Sequence, residues 1–289
     1  MGIIKKKLMA GLLTLAVAAS VLGSVTPASA ATLTAKQYLT KMEKASKKAK
    51  SYEATQTTSM TMDMNGQSMD IKQTNKQIIF QDPIKSKAVT TSKVTAAGTT
   101  QTSKSVVYLK ETSKGKVYAF TSVDGEPYEK EDYTELYKNM SGMSGSLDTS
   151  MYSAAKIVKK SVKVNKIDTV QIEAKMDGSA MDEAMQAMGI DSEQLAQLGI
   201  DFKSTDPIQI TLWINKKNYL PVKMTMDMTA FCDSLYKNMA AAMNEMSGMD
   251  EESTDETESF SFSCSSAKTT AVYKNYNKAT KFNFPDFSK

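Results

Sequence analysis

Apolar residues recur along this chain with two different periods, and the switches between them outline its elements. From Thr34, a residue suited to capping a helix, Tyr38, Leu39, Met42 and Ala45 follow at helical spacing up to Lys50. The period then drops from about 3.6 residues to about 2. Met60, Met62 and Met64 alternate with Thr61 and Asp63, Asn65-Gly66 supplies a strong hairpin signal, and Met69 and Ile71 resume the alternation on the return strand. Asp82-Pro83 ends that strand, because proline has no N–H to give a central ladder. Strands are predicted at 84–95 and 103–111 around Ala96-Ala97-Gly98. Another runs over Val117–Val123, between the turns Ser113–Lys116 and Asp124–Pro127. The first half therefore reads as an antiparallel meander.

The second half mixes the two periods. Residues 131–155 read as helical or irregular, with Leu136, Met140 and Met143 on one face. Strands follow at 157–164 and 167–177, then a short helical pair over 179–199 that carries Met181, Met185, Met188, Leu195 and Leu198. The strand 207–215 puts Ile208, Ile210, Leu212 and Ile214 on one face and Trp213 on the other. The strand 221–229 aligns Val222, Met224, Met226 and Met228. Residues 231–247 form an amphipathic helix with Leu235, Met239, Met243 and Met246. Phe260, Phe262 and Cys264 alternate on a last strand, and Phe282, Phe284 and Phe287 indicate a tail that docks. Between helix and strand, Asp250 to Glu258 carries six carboxylates and reads as a solvated, disordered loop. The pattern predicts an α+β fold dominated by strands: a curved antiparallel sheet, an incomplete barrel, with helices over its concave face. No linker divides residues 31–289, so one domain is expected there.

The first thirty residues have a different character. Lys5–Lys7 precede an apolar run from Leu8 to Val21, too short to span a bilayer comfortably, and Ala28-Ser29-Ala30 is a small-residue cleavage site. A signal peptide cleaved after Ala30 is expected, with a secreted or cell-wall-associated product. Val21-Leu22-Gly23-Ser24 has the outline of a lipoprotein cleavage box, but Ser24 stands where the lipidated cysteine would be, so release rather than acylation is expected.

Composition then narrows the chemistry. The formal charge of +4 includes three lysines of the leader, which leaves the remainder almost neutral and without an electrostatic case for nucleic acid. The basic residues are all lysine; the chain has no arginine and no histidine. Histidine is the usual proton shuttle and metal ligand near neutral pH, and arginine the usual bidentate reader of phosphate and carboxylate. Without histidine no serine or cysteine has its common base. No G-x-S-x-G elbow, phosphate-cradling loop or zinc spacing occurs. A non-enzymatic protein without cofactor or metal is expected. Cys232 and Cys264 are candidates for one disulfide, which would close a loop of about 31 residues and contribute about 3 kcal/mol; two buried free thiols are the alternative.

Methionine is the conspicuous residue, with 21 in the chain. Met-Thr-Met-Asp-Met stands at 60–64 and again at 224–228, and Leu-Tyr-Lys-Asn-Met at 136–140 and 235–239. Methionine is flexible and polarizable, so it fills irregular gaps and adapts to varied partners. The pattern fits core packing. It also fits an apolar groove walled by Met60, Met62, Met64, Ile210, Leu212, Met224, Met226 and Met228, with Leu136, Met140, Met143, Leu235, Met239 and Met243 on lid helices. Thioether binding of Cu(I), at Met140/Met143 and Met246/Met249, is a remote alternative.

The residues around Ser51-Tyr52, the hairpin at Asn65-Gly66, Asp82-Pro83-Ile84-Lys85, Ile210–Asn215 and Tyr219–Met224 together resemble a family of small exported proteins of Gram-positive bacteria whose function is not established. The order of elements also resembles the LolA-like and LppX-like half-barrels. That resemblance implies a curved sheet around an apolar cavity and a lipid or other hydrophobic ligand, held by a monomer associated with the envelope. The competing expectation is an extracellular adhesion-type module with a filled core.

Overall fold

Every strand pairs with its neighbour in the sheet in antiparallel fashion, and the first and last strands of the chain meet in its middle. The computed structural model describes residues 33–138, 152–187, 200–246 and 260–287. The expected leader 1–30, Met140 and Met143, the second helix of the pair over 179–199, the Met246/Met249 pairing and the acidic segment 250–258 lie outside what is described.

Helix α1, Ala35–Ser46, begins at Thr34 in a complete capping box: Thr34 Oγ1 accepts from Gln37 N, and Gln37 Oε1 from Thr34 N. Strands β1 (Ser51–Met64) and β2 (Gln67–Gln81) form the expected hairpin. Asn65 and Gly66 both take positive φ, 52° and 75°, which matches the right-handed strand twist and suits these two residue types. Strands β3 (Ile84–Ala96), β4 (Thr99–Glu111) and β5 (Val117–Val123) continue the meander to a short edge strand, β6 (Glu129–Asp132). The second half adds β7 (Ser153–Val164), β8 (Ile167–Met176), helix α2 (Gly178–Ala187), β9 (Ile208–Asn215), β10 (Pro221–Asp227), helix α3 (Thr229–Met246) and β11 (Phe262–Lys274). The result is a single curved, open sheet of eleven strands in the order β6-β5-β4-β3-β2-β1-β11-β10-β9-β8-β7.

Strand boundaries differ from expectation in three places. Strand β7 begins at Ser153 rather than 157, β4 begins at Thr99 rather than 103, and β6 occupies 129–132, of which 131–132 read as helical or irregular. The stretches in β4 and β6 are polar and exposed on both faces, so they carry no apolar period. Their strand character comes from hydrogen bonding to β3 and to β5.

The core lies on one face of the sheet. Ile172 on β8 and Ile208, Ile210, Leu212 and Ile214 on β9 are all but fully buried, under Leu39 and Met42 of α1 and Phe231 of α3. Trp213 sits on the opposite face, where the Lys223 ammonium lies 4.8 Å from its ring centroid. Gly178 opens α2 where no side chain fits, since a Cβ there would lie 1.7 Å from the Phe202 carbonyl oxygen. The tail docks on the outer face: Phe287 stacks on Phe120 at 3.8 Å, Phe282 and Phe284 pack against Tyr108, and Lys85 Nζ donates to the Phe282 carbonyl.

Candidate functional site

The two copies of Met-Thr-Met-Asp-Met occupy β1 and β10, the strands on either side of β11. Between them β11 presents the small side chains Ala267, Thr269 and Ala271, almost fully buried, and α3 lies along that floor. Met60 faces Ala267 from one side; Met224 and Met226 face Ala271 and Thr269 from the other. The two methionine rows therefore flank one helix. Met60 and Met224 are buried, and Met62, Met226 and Met228 half-buried. Met64 lies at the rim, 49% exposed. Ile210 and Leu212 are buried in the hydrophobic core, each 2% exposed. On the helix, Leu235 and Met239 are half-buried and Met243 is exposed. Leu136 lies half-buried in a helical turn over 134–138.

Helix α3 is tied down at both ends. Thr229 Oγ1 accepts from Ala267 N and Asp233 Oδ1 from Cys264 N near its start; the Asn244 side chain bonds both N and O of Phe260 near its end. Cys232 and Cys264 are buried free thiols, with Cys264 Sγ donating to the Ser266 carbonyl at 3.6 Å, so the structure carries the second of the two alternatives for them. The neighbouring Cys264 sulfur and burial hold the Cys232 thiol well above its ordinary range. The Tyr236 hydroxyl reaches the Met60 sulfur at 4.0 Å, and burial pushes its pKa up to about 12.

The helix-bearing face is not uniform. Cross-strand partners lie on the same face of a sheet, so one row can be read from β4 to β8: Ser105, Thr90, Asn75, Gln56, Ala271, Met224, Leu212, Ile172. It runs from polar through small to apolar. The next row repeats the change, from Ser103, Ser92, Gln73 and Thr58 through Thr269 to Met226, Ile210 and Ala174. The Thr58 and Thr269 hydroxyls share a hydrogen bond of 2.9 Å across the divide. Over β8–β10 the face is closed. Over β2–β4 it is half-open, with Ile79, Ala88, Val94, Val107 and Leu109 all half-buried. The helices pack elsewhere: α3 against β11 and β9, α1 against β7. This half-open stretch adjoins Met60, Met62 and Met69 on the β1 side of α3.

The polar part of this face is absent from the pattern of large apolar residues. Its signal is an interruption: on β2 the alternation Met69, Ile71 continues as Gln73, Asn75, Gln77 before returning to Ile79. Among the described residues no group of three or more His, Cys, Asp or Glu is placed to hold a metal, and no helix is long and apolar enough to cross a membrane.

Residues 34–287 match the model of DUF6612, described as a family of unknown function. No curated protein matches the chain. Solved structures similar to this chain at low identity include the following three. LprF from Mycobacterium bovis is 15% identical over 87% of this chain and 96% of its own, with a TM-score of 0.44. The lipoprotein LppX from Mycobacterium tuberculosis is 9% identical over 86% and 98%, at 0.40. A DUF1329 family protein from Desulfovibrio piger is 9% identical over 86% and 93%, at 0.25.

Proposed function

The chain belongs to the DUF6612 family of unknown function, and from its own geometry we propose that it is an exported, non-enzymatic protein that holds a lipid or other hydrophobic ligand beside α3. One observation supports this reading: the helix-bearing face is sealed over β8–β10, while Ile79, Ala88, Val94, Val107 and Leu109 on β2–β4 remain half-buried beside Met60, Met62 and Met69, where a ligand trough would lie. Burial there would drive binding at about 25 cal/mol per Å² of apolar surface removed from water, and the methionines would adjust to ligands of different shape. The absence of histidine and arginine from the whole sequence supports a binding role over a catalytic one. Residues 1–30 support export, and the lack of a cysteine at Ser24 supports release from the membrane.

The test is titration with a fluorescent fatty acid analogue, alongside native mass spectrometry of protein purified from its own secretions. The wild type is expected to take up the analogue, and Val107→Asp and Met62→Asp to weaken it at least tenfold with an unchanged circular dichroism spectrum. A clean apo mass and no uptake would overturn the reading. The second reading, an extracellular interaction module with a filled core, would then stand. It is favoured by the packing of Ile210, Leu212 and Ala267, each at most 2% exposed.

A further inference from the structure

Asn75 lies in the middle of β2, on the helix-bearing face, between Gln56 of β1 and Thr90 of β3. It is 5% exposed, and its Oδ1 has no hydrogen-bond partner among the described residues. Buried polar atoms in native proteins are nearly always paired, because leaving one unpaired forfeits the hydrogen bond it made to water. Thr58, one pair further along β1, shows how the same floor treats a polar group the fold needs: its hydroxyl is paired with Thr269. Asn75 is not so treated. On its own strand the next inward residues are Gln73 and Gln77, and beyond them Ile71 and Ile79. The amide therefore sits in a polar island with apolar surface at both ends.

We infer that the ligand is amphiphilic rather than a plain hydrocarbon, and that its polar group is a hydroxyl seated on the Asn75 amide. This rests on the ligand trough proposed above. A hydroxyl both donates and accepts, so it answers the amide in either orientation of its oxygen and nitrogen. The long arms of the ligand would then follow the floor away from Asn75, toward Ile71, Val94 and Met60 in one direction and toward Ile79 in the other. The island is neutral: no charged side chain shares its rows. An uncharged head is the match, since a carboxylate or phosphate would lose its hydration with no cation beside it.

The test is displacement of the fluorescent fatty acid analogue by two competitors that differ in one group, 1-hexadecanol and methyl hexadecyl ether. With the wild type, the alcohol is expected to compete about tenfold better than the ether. In Asn75→Leu the preference is expected to vanish while the ether competes as before. Because the variant removes an unpaired buried oxygen and keeps the shape, the empty protein is expected to be at least as stable to urea as the wild type. Equal competition by alcohol and ether with the wild type overturns this inference and leaves the trough intact. A marked loss of stability in Asn75→Leu also overturns it, since the amide then has a structural partner. If the wild type takes up no analogue at all, the inference falls together with the trough.

Discussion

Glu53 shows how far a single residue reaches. It lies on β1, yet its carboxylate accepts from both N and Oγ1 of Thr280, at 2.9 and 2.7 Å, and meets Lys274 at 3.5 Å. The hydrogen bond from the Thr280 side chain, helped by Asn275, holds its pKa at about 2 against an ordinary 4.5. A carboxyl depressed in the folded state stabilises it fully above its unfolded value, and that stability is lost as pH falls toward the folded one. The window is therefore from about 4.5 down to about 2. Glu53→Gln is expected to cost about 1–3 kcal/mol at neutral pH and to flatten the loss of stability across that window. Urea titrations of both proteins at several pH values would read this, and parallel pH profiles would contradict it. The predicted groove residues divide just as sharply. Leu212, 2% exposed, sits in a closed core, so Leu212→Ala is expected to cost about 2–5 kcal/mol. Met64, 49% exposed, is expected to tolerate alanine within about 0.5 kcal/mol. Similar losses for both in thermal melts would mean that the rim is packed as tightly as the core.

Among the elements, those built on local periodicity are legible in the sequence. The Thr34 cap, the Asn65-Gly66 hairpin and the inward set of β9 follow from residue type and spacing alone. Strand β6 and the start of β4 are not, because their polar side chains carry no period and the ladder that forms them comes from a neighbouring strand. The methionine rows are legible as strand faces. That they straddle one helix is not, since the pairing of β1 and β10 with β11 joins residues from opposite ends of the chain. This arrangement has a consequence for ligand entry. Because α3 is bound to β11 near its start and to Phe260 near its end, the ligand is expected to enter beside the helix rather than beneath it. Oxidising Cys232 and Cys264 to a disulfide would fasten α3 further, and uptake of the fatty acid analogue is expected to be unchanged. Loss of uptake on oxidation, restored by a reductant, would show instead that the helix lifts.

At the scale of the whole molecule, the sheet joins two meanders through the pairing of its first and last strands, and the two sides are stabilised in different ways. From β8 to β10 the helix-bearing face is covered by packed apolar side chains. Over β3 and β4 that face is only half-buried, and the other face is covered by the tail, which lays Phe282, Phe284 and Phe287 over Tyr108 and Phe120. Local opening is easiest where few buried contacts oppose it, so amide exchange is expected to be slowest in β8, β9 and β11 and fastest in the exposed run 99–104 of β4. The tail supplies the decisive comparison. Removing residues 281–289 takes away the three phenylalanines but keeps Thr280 and its bonds to Glu53. Exchange is then expected to rise in β4 and β5 and to stay unchanged in β8–β10, with new binding of a hydrophobic dye at the bared aromatic face. A uniform rise would mean that the sheet opens only as one unit, and that the half-open side owes its order to the sealed core rather than to the tail. The local rise is the result compatible with a trough floor that can adjust to its ligand without disturbing the core beside it.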